Sequence, residues 1–213
     1  MVKTILFDLD GTLTDSGEGI INSAILGLRH FGLPVPDRDT LRVFVGPPLH
    51  ETFVHFGVPA DRVEEAVKVF RSRYMTVGKF ENFPYPGIAD LLSSLKKKGH
   101  TLLVATSKPE ILANEVLEHF SLSGYFDAVC GATLDQSRVS KEDVLTYLLG
   151  QYGDLQNMIM VGDTHFDILG AAAHNIPAVG VSWGYGDTEK MKKSGAVAIA
   201  DTPDELLKIL DEL

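Results

Sequence analysis

Asp8 and Asp10 stand two residues apart in Asp8-Leu9-Asp10-Gly11-Thr12, directly after the apolar run Ile5-Leu6-Phe7. Side chains alternate along a strand, so both carboxylates share a face if the extended run continues. The turn expected at Gly11 bends them towards one small site. Crowded carboxylates repel unless a proton or a cation sits between them. The motif therefore asks for a divalent metal, a shared proton, or both. Three later segments carry compatible groups. Thr106-Ser107-Lys108-Pro109 follows the apolar run Leu102 to Ala105, and Gly162-Asp163-Thr164-His165-Phe166-Asp167 follows Met158 to Val161. Lys141 opens a helical stretch after the polar run Asp135 to Ser140.

Carboxylates, hydroxyls and a lysine at one edge of a sheet form the inventory of a phosphoryl-transfer site. An aspartate nucleophile is already deprotonated at neutral pH and, unlike serine, needs no base. Its handicap is repulsion from the anionic phosphate, which a divalent cation removes by bridging the two sets of oxygens. Aspartate oxygens, backbone carbonyls and waters suit Mg²⁺. The Thr106 hydroxyl and the Lys141 ammonium can hold the equatorial oxygens, with Ser107 as a second hydroxyl. The backbone of Leu9, Gly11 and Thr12 can add a phosphate-cradling nest. Asp10, as a carboxylic acid, can protonate a leaving alcohol and later activate water.

To position these residues the chain alternates short apolar runs with longer amphipathic ones. Strands are expected at Thr4–Asp8, Thr101–Ala105, Phe126–Cys130, Met158–Val161, Ala178–Val181 and Val197–Ile199. Helices are expected at Ile88–Lys98, Glu110–Phe120, Lys141–Leu149, Phe166–His174, Thr188–Ser194 and Pro203–Leu213. The strands are continuously apolar, as in a parallel sheet covered on both faces. The pattern is that of an α/β fold with a doubly wound, Rossmann-like sheet, whose ligands bind beyond the carboxyl ends of the strands. Residues 15–80 break the alternation: Val63, Ala66, Val67, Phe70 and Tyr74 make one apolar helical stripe, and Ile21, Ala24, Ile25 and Leu28 another. Two domains follow, an α/β core of residues 1–14 and 81–213 and an inserted helical cap of residues 15–80. Helices joined by loops beside a reaction centre are natural lids. Gly46, in Gly46-Pro47-Pro48, could bring backbone near a substrate; Arg42, Arg71, Arg73 and Lys79 read as solvated charges.

Bulk properties narrow the partners. Of 213 residues 45% are apolar, so a sizeable core can form, and the formal charge of −10 disfavours nucleic acid. No run approaches the roughly 20 apolar residues of a membrane span, and the first apolar stretch is too short for a signal-peptide core. A cytoplasmic protein acting on a small phosphorylated metabolite, with neither nucleic acid nor membrane as partner, is expected. The one cysteine, Cys130, cannot form an internal disulfide and reads as a small core residue.

The ordered set Asp8-x-Asp10-Gly11-Thr12, Thr106-Ser107, Lys141 and Gly162-Asp163-Thr164-x-x-Asp167 resembles the four motifs of the haloacid dehalogenase-like hydrolase superfamily. The insertion after the first motif resembles its helical-cap subclass, which includes phosphoglycolate phosphatases and β-phosphoglucomutases. By that resemblance Asp8 is the nucleophile that becomes an aspartyl phosphate and Asp10 the general acid/base. Thr106 binds the transferring phosphoryl group, and Lys141 holds both phosphate and nucleophile. Asp163 ligates Mg²⁺ with Asp8 and the Asp10 carbonyl, with Asp167 nearby. The presence of Asp10 separates the chain from dehalogenases and phosphonatases. Asp15-Ser16, Gly46-Pro47-Pro48-Leu49, Tyr85-Pro86-Gly87, Thr106-Ser107-Lys108-Pro109 and Leu134-Asp135-x-x-Arg138-x-x-Lys141 resemble the phosphoglycolate phosphatase-like or 5′-nucleotidase-like branch. The Glu142-Asp143-Val144 that follows Lys141, where many relatives have Lys-Pro, is closer to the nucleotidase-like group.

The resemblance thus implies a Mg²⁺-dependent phosphomonoester hydrolase, with phosphoglycolate and nucleoside 5′-monophosphates as first substrates. A sugar phosphomutase of β-phosphoglucomutase type would use the same quartet, and a catalytically silent binding protein could sit on the same fold. Monomer and homodimer both remain open.

Overall fold

Strand β1 (Thr4–Phe7) buries all four of its residues, because helices cover both faces of the sheet to which it is central. The computed structural model describes residues 1–153 and 155–213. In chain order β1 is followed by β2 (Thr14–Asp15), α1 (Gly17–His30), α2 (Arg38–Leu41), α3 (Leu49–His55), α4 (Val63–Tyr74) and β3 (Phe83–Pro84). Then come α5 (Ile88–Lys97), β4 (Thr101–Pro109), α6 (Glu110–His119), β5 (Ala128–Ala132), α7 (Lys141–Gln151) and β6 (Met158–Gly162). The chain closes with α8 (His165–Ala173), β7 (Ala178–Val181), α9 (Thr188–Lys193), β8 (Ala198–Ala200) and α10 (Pro203–Glu212). Two units result, one of residues 1–14 and 84–213 and one of residues 15–83.

The first unit holds a parallel sheet in the order β5-β4-β1-β6-β7-β8. From β1 the chain builds outwards through β4 and β5 on one side and through β6, β7 and β8 on the other. That reversal makes β1 the switch point, where the carboxyl ends of neighbouring strands diverge and leave a crevice. In register, Phe7 lies beside Val104 of β4 and Val161 of β6. Asp8, Thr106 and Asp163 therefore follow closely at adjacent strand ends.

Alternation divides the core between two faces. Ile5, Phe7, Leu102, Val104, Ile159 and Val161 pack with residues of α5, α6 and α10. Leu6, Leu103, Ala105 and Met160 pack with α7, α8 and Met191 of α9. Helix α5 shows why such segments fold as they do. Ile88, Leu91, Leu92 and Leu95 make one buried stripe, and Gly99 closes the end at a φ of +83° with its N–H on the Lys96 carbonyl.

Two of the expected strands differ by more than one residue at an end, while β1, β6 and β8 differ by a single residue. β4 continues past Ala105 to Pro109, because Thr106 pairs with Gly131 and, after a register shift, Pro109 pairs with Ala132. β5 begins at Ala128 rather than Phe126, since residues Ser123–Tyr125 form a 3-10 turn that precedes it. The β4 extension carries its carboxyl end towards the crevice, and β5 likewise ends at Ala132, two residues beyond Cys130.

The second unit is helical. Leu28, Leu41, Phe44, Phe53, Ala66, Val67, Phe70 and Tyr74 are buried, and the rings meet in sequence: Phe44 to Phe53 at 5.0 Å and Phe53 to Phe70 at 6.4 Å edge to face, Phe70 to Tyr74 stacked at 5.2 Å. Residues 81–83 belong with this unit, since Glu81 pairs with Arg73 at 2.7 Å through both carboxylate oxygens. The chain passes between the units through β2 and β3, which pair with each other. No helix among the described residues is long and apolar enough to cross a membrane.

Candidate active site

The turn after β1 is built by its own backbone. Asp8 donates its N–H to the Val161 carbonyl at 2.9 Å, while the Leu9 carbonyl accepts from Leu13 and Thr14 at 2.9 and 3.0 Å. Gly11 takes a φ of +86°, and a Cβ there would stand 2.2 Å from an Asp163 carboxylate oxygen. Glycine is thus required twice, for the conformation and for the close approach. Thr12, fully buried, sets its hydroxyl 3.4 Å from Asp163 Oδ1. The Leu9 side chain is core, which leaves only its backbone to the site.

Lys141 is the first residue of α7, a helix opened by a capping box between Ser140 and Asp143. A cation at a helix N-terminus is unfavourable, so its retention needs compensation. Lys141 Nζ donates to the Ala105 carbonyl at 2.6 Å and lies 2.9 Å from Asp8 Oδ1 and 2.8 Å from Asp167 Oδ1. The two carboxylate approaches are contacts of charge rather than aligned hydrogen bonds. Helix α8 comes close enough for this because residue 170 is glycine: a Cβ there would meet Lys141 Cγ at 2.7 Å. Asp167 serves two masters, its other oxygen accepting the Thr164 N–H at 3.0 Å and hydroxyl at 2.8 Å.

Three acids remain crowded despite Lys141. Ligand oxygens of Asp8, Asp163 and Asp167 all lie within 4.8 Å of one another. Burial first, then the charges of Asp167 and Asp8, push Asp163 well above the ordinary carboxylate range, against the pull of the Tyr185 N–H on its Oδ2 at 2.8 Å. Burial likewise raises Asp8 to about 6, with Asp167 adding to the rise and Lys141 and the Thr106 hydroxyl opposing it. Burial works against the charge on Lys141, but Asp167 and Asp8 prevail and hold it above the usual lysine range. Three buried carboxylates, only two of them paired with the one lysine, make a site short of positive charge. Hard oxygen donors at this spacing fit Mg²⁺.

The predicted residues do not all meet here. Asp8, Lys141, Asp163, Asp167, Gly11 and Thr12 converge. Thr106, 1% exposed, joins them through Asp8, whereas Ser107 is half-buried on the alternate side of the strand. The Asp10 carboxylate is not in the acid cluster: Lys108 Nζ holds both its oxygens, at 2.9 and 3.0 Å. Any metal role for Asp10 is left to its carbonyl. Gly46, at a φ of +103°, belongs to the helical unit, as does Arg73, whose guanidinium is taken by Glu81. His165 tilts against Phe166 at 4.0 Å, and burial, then Lys190, keep its pKa below the usual histidine value.

Two contributions were not foreseen. One is the Asp10–Lys108 pair, hinted at only by the lysine in Thr106-Ser107-Lys108-Pro109. The other is the loop after β7: Trp183 Nε1 donates to the Thr12 carbonyl at 3.0 Å, and Tyr185 N–H to Asp163. Its sequence signal was Gly184 and Gly186 flanking Tyr185 just beyond a strand end, a place where backbone approach is close.

This fold and this quartet define a class. The haloacid dehalogenase-like hydrolase pattern matches residues 5–181, and the chain belongs to that family. Within it the chain is an enzyme of the phosphatase class, as its similarities indicate. It is 40% identical over 190 residues to a 5′-nucleotidase of Pseudomonas aeruginosa, covering 88% of this chain and 86% of that one. It is 43% identical over 211 residues to a Mycobacterium tuberculosis protein named tyrosine-protein kinase PtkA, covering 98% of this chain and 72% of the relative. A crystal structure of a predicted phosphatase from Clostridium acetobutylicum superposes with a TM-score of 0.95 at 42% identity, covering 100% of both chains.

Proposed function

We propose that this protein is a Mg²⁺-dependent phosphomonoesterase that works through a phosphorylated Asp8 and acts on a small metabolite, nucleoside 5′-monophosphates and phosphoglycolate first. The observation that carries the reading is the meeting of Asp8, Asp163 and Asp167 at the switch-point strand ends, with the Lys141 ammonium paired to Asp8 and Asp167. Asp8, Asp163 and Asp167 would hold the cation. When bound it supplies the positive charge that lets an anionic nucleophile meet an anionic phosphate.

In the first half-reaction an Asp8 carboxylate oxygen bonds to phosphorus as the bond to the leaving oxygen breaks, and Asp10 gives that oxygen its proton. In the second, Asp10 takes a proton from water, the water oxygen bonds to phosphorus, and the bond to Asp8 breaks to release phosphate. Lys141 and the Thr106 hydroxyl hold the phosphoryl oxygens throughout. The resemblance to a 5′-nucleotidase supports the nucleotide as substrate class.

A phosphate-release screen over small phosphate esters, with Mg²⁺ and with EDTA, tests this. Turnover should require the cation, and Asp8→Asn should lose on the order of 10⁴-fold or more in kcat while its thermal midpoint holds. Wild-type turnover by that variant would end the proposal. Phosphate moved onto a sugar without release would replace hydrolysis by mutase chemistry.

A further inference from the structure

We propose that Lys108 is a positioning residue that aims the Asp10 carboxyl at the leaving-group oxygen; this rests on Asp10 acting as the general acid, as set out above. Lys108 Nζ reaches both Asp10 oxygens at 2.9 and 3.0 Å, with the lysine side chain 3% and the aspartate side chain 14% exposed. A buried ion pair of this kind is weak evidence for stability, because desolvation offsets most of the attraction. Orientation is its better-supported use. A single ammonium placed near both oxygens fixes where the carboxyl group sits and which way it faces, and a general acid must hold its proton in a defined line to the atom that receives it.

The backbone shows how the lysine is itself placed. Thr106 and Lys108 are both buried on β4, with Ser107 between them half-buried. The register shift between Thr106 and Pro109 falls at this point. The Lys108 N–H donates to Thr106 Oγ1 at 3.2 Å, so one residue touches both the phosphate-binding hydroxyl and the acid. β5 closes against this turn because residue 131 is glycine, where a Cβ would sit 2.6 Å from the Lys108 carbonyl oxygen. The two lysines thus divide the acids. Lys141 serves Asp8 and Asp167, while Lys108 keeps Asp10 apart from them. Without Lys108, the Asp10 carboxylate would be free to turn towards the remaining positive charge of the site.

Leaving groups distinguish positioning from a structural role. Expulsion of an alkoxide from an alkyl phosphate needs the Asp10 proton, whereas nitrophenolate departs as a stabilised anion. kcat/KM reports steps up to that departure, so the two esters respond differently only when the acid is affected. Lys108→Met should lower kcat/KM for an alkyl ester such as adenosine 5′-monophosphate about 10²-fold and that for p-nitrophenyl phosphate less than about fivefold. Lys108→Arg, with a two-point donor, should recover part of the alkyl-ester rate. A crystal structure of Lys108→Met should show the Asp10 carboxyl turned from its present orientation.

Equal loss on both esters, or no loss on either, overturns the proposal. Asp10→Asn is the control. If it discriminates between the esters and Lys108→Met does not, the positioning role alone falls. If Asp10→Asn treats both alike, the acid role falls and this inference with it. Should Lys108→Met fail to fold, Lys108→Gln is read by the same ratio.

Discussion

The strand ends of the first unit bury charge, while the helical unit keeps charge near its surface and buries rings. Lys108, Lys141 and Asp167 have side chains no more than 3% exposed. In the helical unit, the His30–Glu65 and Arg62–Glu65 pairs leave every partner more than 40% exposed, and the interior holds the ring cluster of Phe44, Phe53, Phe70 and Tyr74. Exposed pairs contribute about 0–1 kcal/mol each, so that unit owes its stability to ring packing. Buried charge is costly wherever it occurs. The fold concentrates that cost at one crevice, the site of the proposed chemistry, and the rest of the chain supplies the stability that offsets it.

Breaking each region separately should separate activity from folding. The largest effect is expected from Lys141→Met, which leaves Asp8 and Asp167 without their counter-charge and the phosphoryl oxygens without a donor. kcat/KM should fall by about 10³-fold, whereas Arg62→Ala should leave turnover within twofold and cost at most about 1 kcal/mol. Steady-state kinetics beside urea melts would check both, and comparable rate losses in the two variants would erase the contrast.

Next in size is Phe53→Ala, whose ring touches Phe44 and Phe70 and lies against Gly27, where a Cβ would stand 2.7 Å away. It should cost about 3–5 kcal/mol in equilibrium unfolding. A cost under about 1 kcal/mol would deny the ring cluster its role.

The smallest effect sharpens the electrostatic half of the comparison. Asp8 is raised from an ordinary 3.8 to about 6 in the fold, so between those pH values the native state holds a proton there that the unfolded chain has released. The stability this confers is complete below about 3.8 and is lost as pH rises through about 6. With EDTA present, the thermal midpoint should drop by several degrees across that window. Mg²⁺ should suppress the drop by stabilising the ionised acids. A midpoint that rises across the window in EDTA would show that the crowding is relieved without a cation.

Much of this arrangement was legible in advance because it rests on local chemistry. Asp8 and Asp10 could be assigned to a strand end from three apolar residues before them and a glycine after. Ala178–Val181 was recovered to the residue, since a short apolar run bounded by Pro177 and Ser182 allows little else. Lys141 was recognisable as odd, a cation where a helix dipole disfavours one. By contrast β4 overran its apolar stretch, because its last pairs with β5 are made by backbone and owe nothing to side-chain pattern. The Asp10–Lys108 contact joins residues 98 positions apart, and no periodicity encodes which of several lysines an acid will meet.

Composition and order along the chain sufficed for the α/β class, since strand alternation and turn geometry act over a few residues, and they marked out the acids, hydroxyls and lysine on which the proposed chemistry rests. Only the folded sheet decided that Asp163 and Asp167 crowd Asp8, that Lys141 answers two of them, and that Asp10 is handed to Lys108 instead. Those choices depend on strand register and on helix approach at glycines such as Gly170, which arise from packing between segments far apart in the chain.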